Sequence, residues 1–173
     1  MKKNLIAVAV LAASAFTASA FAADGAVNFT GSITDEACTV DTDSLNQTVD
    51  LGKVAQSAFN GAGDTAGAKK FSLLLKDCPA TVTGATVRFD GNQIPGNNSV
   101  LALTEGADTA QNVGIQITDN NNNVINLYQD SVVYPLVSTG VNTLDFAARY
   151  YATADAVSVG TANAVSNFTI VYQ

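Results

Sequence analysis

The chain has 173 residues, of which 47% are hydrophobic and 13% charged, with eight basic against fifteen acidic side chains and neither histidine nor tryptophan. So acidic a balance repels phosphate backbones and anionic lipid, which argues against nucleic-acid and membrane-surface partners. Without histidine, and with two cysteines in all, the common nucleophilic and metal-hydrolytic constellations lack their parts. No enzymatic activity, metal, cofactor or small-molecule substrate is expected.

In chain order, the first element is a secretory leader. Lys2 and Lys3 precede an uncharged run from Leu5 to Phe21, and Ala20 and Ala22 offer the small side chains a signal peptidase admits, so residues 1–22 are assigned to the leader. Ser14, Thr17 and Ser19 interrupt the run, which falls short of the roughly 20 strongly apolar residues of a spanning helix. Removing the leader leaves one domain of about 150 residues. It also removes two lysines, so six basic residues face fifteen acidic ones, a formal charge of about −9. Cys38 and Cys78 both lie in the exported part, where an oxidising compartment makes a disulfide the default. Closing a loop of about 40 residues corresponds to about 4 kcal/mol in the chain-entropy picture.

Beyond the leader the dominant period is two. Val27, Phe29, Gly31 and Ile33 alternate with polar residues, which predicts a half-buried strand over 27–34, within an N-terminal extension of residues 23–36 that precedes the main domain at 37–173. Asp35 and Glu36 are sequence neighbours whose side chains diverge on an extended chain, a poor basis for a paired-carboxylate glycosidase. The glycine-rich stretch from Gly61 to Gly67, ahead of Lys69, lacks phosphate-loop spacing and reads as a surface loop. Alternation returns at Phe71, Leu73 and Leu75 and at Ala85, Val87 and Phe89, with further strands predicted over 113–118, 124–128, 143–151 and 165–172. Turn-rich pieces fall at 60–67, 90–99, 105–109 and 119–123. Asp119 and the four asparagines after it superficially match a calcium loop, but Val124 stands where the sharp turn needs glycine, so a hairpin connection is expected. Asn46-Gln47-Thr48 and Asn167-Phe168-Thr169 match the glycosylation sequon, a short motif in a chain whose leader looks bacterial. Short strands at this spacing predict an antiparallel β-sandwich of immunoglobulin-like type.

The two ends are informative together. Gly31 on the inward face of the first strand either bends an ordinary strand or lets it insert where a Cβ would collide. The C-terminal strand favours insertion: Ala162, Ala164, Ser166, Phe168, Ile170 and Tyr172 form one face running to Gln173, and no later segment is left to cover that edge.

These features resemble the major subunits of the chaperone-usher fimbriae of Gram-negative bacteria, close to the type 1 pilins. The resemblance rests on residues 27–33 ahead of Cys38, the Cys38 to Cys78 separation, the run from Leu144 to Thr153, Gly160 fourteenth from the end and Tyr172 next to last. It covers essentially the whole exported chain. It implies an incomplete immunoglobulin-like sandwich lacking its last strand, whose acceptor groove involves Gly160, Phe168, Ile170, Tyr172 and Gln173. It further implies that a periplasmic chaperone first lends the missing strand, its basic residues holding the Gln173 carboxylate, and that an outer-membrane usher oversees replacement by the next subunit's N-terminal strand. Val27, Phe29 and Ile33 would then be the inserted side chains, with Gly31 at a shallow site. Such subunits, identical or related, build an extracellular fimbria used in adhesion. A minor adaptor subunit shares these features. A tip adhesin would need an additional sugar-binding domain, and a free sugar-binding sandwich would need exposed aromatics that the strand patterns do not offer.

Overall fold

The computed structural model describes residues 25–31, 33 and 37–173. The leader and the Asp35–Glu36 pair lie outside the described residues. Residues 25–31 and 33 contain no strand, and Val27, Phe29 and Ile33 are 78%, 92% and 104% exposed. Among the described residues the half-buried strand expected over 27–34 is therefore not formed, since a lone extended segment has no ladder partner to stabilise it.

The second unit spans Thr34–Gln173. It opens with β1 (Thr39–Val40) and the short helix α1 (Thr42–Leu45), whose N-terminus is capped by the Asp41 carboxylate accepting from the Asp43 amide. A single 3-10 turn follows at Gln56–Ala58. The remaining strands are β2 (Thr65–Lys76), β3 (Gly84–Asp90), β4 (Gln93–Ile94), β5 (Asn97–Leu101), β6 (Val113–Asp119), β7 (Tyr134–Pro135), β8 (Asn142–Ala152) and β9 (Asn167–Tyr172). All ladders are antiparallel and form two sheets, one of order β1-β2-β8-β6-β5-β4 and one of order β7-β3-β9.

The period-two pattern explains how the sheets meet. Leu73 and Leu75 of β2 and Leu144 and Phe146 of β8 point to the same face, with Phe71 opposite Phe146 and Leu73 opposite Leu144 in register. Val87 and Phe89 of β3 face them from the other sheet. Phe71, Phe89 and Phe146 lock the layers together, with ring centroids 5.2 to 6.2 Å apart. Cys38 and Cys78 are bonded and tie the start of the domain to the end of β2.

Three sequence expectations need correction. β2 begins at Thr65, inside the stretch read as a turn, because the glycine-rich run forms a bulge between Ala66 and Lys69. Gly67 at φ +67° serves that bulge, and a Cβ there would lie 2.7 Å from Val54 Cγ2. Residues 90–99 include β4 and the start of β5, which turn around Gly96 at φ +79°. Residues 124–128 form only a bridge, Thr118 to Val124. Their backbone amides are drawn to different strands, Ile125 to the Ile117 carbonyl, Leu127 to Asn98 and Tyr128 to Phe89, and Tyr128 sits at φ 64°.

Candidate functional site

β9 is the outermost strand of its sheet. One edge pairs with β3, from Ala85 opposite Tyr172 to Asp90 opposite Asn167, and the other has no strand partner among the described residues. Its start is pinned by Ser166 Oγ donating to the Asp90 carbonyl at 2.7 Å and by Asn167 Nδ2 donating to Asp90 Oδ1 at 3.1 Å. Its end is held by Tyr172 Oη donating to the Cys38 carbonyl at 3.2 Å. The inward residues Phe168, Ile170 and Tyr172 pack against the core yet stay half-buried.

They stay half-buried because the facing wall stands apart. After α1 the chain runs through residues 46–52 without forming a strand, and β1 meets β2 only at Leu75 and Lys76. Between this segment and β9 lies an open groove of about 1210 Å³ whose floor includes Phe71, Leu73, Phe89, Ile115, Ile117 and Ala148. Those are core side chains, so the groove is an opening into the sandwich. Among the described residues Asp50 is the only ionisable carboxylate on its lining. Burial raises the pKa of the Tyr150 phenol, with the Asp50 charge adding to the effect. Burial likewise raises that of Tyr172 despite its bond to Cys38, so both rings face the groove uncharged. A site of this kind suits an extended apolar segment. No cluster of three or more metal-ligating side chains occurs among the described residues.

The structure thus brings Phe168, Ile170 and Tyr172 together on one wall. Gly160 lies instead in a smaller pocket of about 530 Å³ that continues the groove, sharing Gly52, Tyr150, Ala162 and Asn163 with it. A Cβ at Gly160 would fall 2.5 Å from both the Ala110 amide nitrogen and the Asp108 carbonyl oxygen. Glycine lets this segment lie flat on residues 108–110, where Thr161 N donates to Asp108 and Ala110 N donates to Thr161. Gln173 is not part of the groove lining. Its main chain extends the β9–β3 pairing, its amide donating to Gly84 and its carbonyl accepting from Thr83. Val27, Phe29, Gly31 and Ile33 belong to the separate N-terminal unit, and a Cβ at Gly31 meets nothing within 4 Å there. Sequence reasoning missed the facing wall. Its one signal was the pair Val49 and Leu51, two apolar positions at strand spacing that pack against the core.

The sequence profile described as "Fimbrial protein" matches residues 27–173. The chain belongs to the fimbrial protein family. It is 37% identical to a type-1 fimbrial protein subunit of Serratia marcescens and 39% identical to a type-1 fimbrial protein A chain of Escherichia coli, each alignment covering all of both chains. Among solved structures it resembles an antigen and type I fimbria protein of Burkholderia pseudomallei at 40% identity and a TM-score of 0.62, over 84% of this chain and 96% of the other. This fimbrial protein is accordingly a structural pilin subunit with an immunoglobulin-like, nearly all-β fold. Subunits of the family assemble with related subunits into pili on the cell surface.

Proposed function

We propose that the subunit polymerises by donor-strand exchange, residues 27–33 of one copy filling the groove of the next. The observation that carries this reading is the free edge of β9 above an opened core. A free edge over apolar floor residues calls for a strand with alternating apolar side chains. The exposed N-terminal segment has that pattern: Val27 to Ile33 spans about 20 Å when extended, enough to run along β9. Main-chain hydrogen bonds would close the edge, and burying Val27, Phe29 and Ile33 contributes about 5 to 9 kcal/mol at about 1.5 to 3 each. Before assembly the same groove is occupied by a strand from a periplasmic chaperone, whose basic residues meet the Gln173 carboxylate, and exchange takes place at an outer-membrane usher. The leader at 1–22 supports passage through the periplasm.

Two substitutions separate donor from acceptor. Gly31→Leu adds a side chain where the chain's own structure leaves open space, so it should leave chaperone capture intact and block fibre growth. Phe168→Asp puts an unpaired charge on the groove wall, where desolvation costs several kcal/mol, and should impair both. Co-purification with the chaperone and electron microscopy of fibres read the two steps. Long fibres from the Gly31→Leu subunit would overturn the assignment of the donor strand.

A further inference from the structure

The segment from Ser131 to Asn142 contains no charged side chain, in a chain with fifteen acidic residues. It nevertheless leaves Val132, Val133, Val137 and Val141 45%, 51%, 57% and 57% exposed. Four half-exposed valines lie on this one short segment and have no role in the groove, whose lining includes none of them. The segment is held in place. Asn142 Oδ1 accepts from the Val137 amide at 2.8 Å, and Asn142 Nδ2 donates to the Val137 carbonyl at 2.9 Å and approaches Cys78 Sγ at 3.3 Å. Cys78 is bonded to Cys38, with Cα atoms 4.1 Å apart. Cys38 lies only five residues beyond Ile33 in the sequence.

We infer that these valines form a collar at the root of the donated strand, which packs against the second copy of the chain that accepts that strand. This rests on the strand-donation reading. The argument is one of tethering. Five residues reach at most about 18 Å, so a groove that holds Ile33 of one copy is confined close to the Cys38 corner of that copy, and the valine segment is built on that corner. An uncharged apolar surface also meets a second acidic copy without the like-charge repulsion that the rest of the surface would impose. The collar therefore stiffens the junction between consecutive subunits, while the inserted strand holds them together.

The test places the photo-cross-linker benzoylphenylalanine at Val141 in the full-length chain and irradiates assembled fibres. A cross-link between copies is expected from fibres and not from the chaperone-bound subunit. A second variant, Val137→Ser with Val141→Ser, is small and uncharged. It should leave the detergent-resistant polymer ladder unchanged while shortening the fibre's persistence length at least twofold. Resistant fibres that give no cross-link from position 141, or an unchanged persistence length in the serine variant, overturn the collar and leave strand donation standing. If the unmodified chain forms no resistant polymer, both readings fail.

Discussion

The Asp119 carboxylate is 2% exposed, yet it serves as an ionised anchor for a turn. Burial by itself would raise its pKa. Three donors outweigh that effect and hold it below the ordinary 3.8: the Asn123 side chain and amide and the Asn121 amide, each at 2.8 Å. Both Asp119 oxygens, which a calcium loop would offer to a metal, are thus engaged by the hairpin itself, while Asn122 takes the left-handed conformation at φ 64°. Because the folded-state pKa is depressed, this stabilisation is present at neutral pH and is lost as pH falls through the folded value. Asp119→Ala should cost about 2 to 4 kcal/mol at pH 7, and the gap to the parent should narrow as the pH falls through the lowered folded-state pKa. Urea unfolding of both proteins at several pH values checks this, and a gap that does not depend on pH would mean the carboxylate acts through packing alone. The turn was legible from its asparagines. The close approach at Gly160 was not, because the backbone it rests on is about 50 residues away in sequence.

Strands with a clean period of two were readable from sequence: the cores of β2, β3, β6, β8 and β9 fall where alternation predicted them. The short elements were missed for a physical reason. β4, β5 and β7 depend on pairing with segments that local pattern does not reveal, and residues 124–128 alternate without forming a ladder. The groove shows the same division, since the β9 wall follows from Phe168, Ile170 and Tyr172, whereas the wall at 46–52 carries little periodicity. What holds that irregular side in place is the clasp at its base. β1 has only two residues, so its position depends on the Cys38–Cys78 bond and on the Tyr172 hydroxyl bound to Cys38. Both cysteines in the native subunit should therefore resist a maleimide. Reduction should lower stability by about 2 to 5 kcal/mol and loosen the C-terminal end of β9 as well as β1. Mass spectrometry after labelling reads the first expectation and hydrogen exchange at Tyr172 the second. Full labelling of both cysteines in the folded protein would refute the clasp.

At the scale of the whole molecule, the fold is a sandwich with one strand's worth of core left open, and this sets how monomer and fibre should differ. In the isolated subunit the free edge of β9 and the half-buried Phe71, Phe168, Ile170 and Tyr172 stay open to solvent or to whatever sticky segment is nearest, so marginal stability and self-association are expected. Filling the groove removes that exposure and pairs the edge. If strand donation is the mode of assembly, a fibre subunit cannot unfold without first losing an inserted strand or carrying it along, so the ligand that stabilises the native state is present at a very high local concentration. If net burial supplies about 5 kcal/mol, and the guanidinium dependence is about 3 to 5 kcal/mol per molar, the unfolding midpoint should rise by at least about 1 M from monomer to fibre. The slope should also steepen, because more surface is exposed when the complemented subunit unfolds. Unfolding curves of purified monomer and sedimented fibre at matched subunit concentration, followed by far-ultraviolet circular dichroism, measure both quantities. Coincident midpoints would mean that the subunit is already a complete fold on its own and that the groove is not the site of assembly.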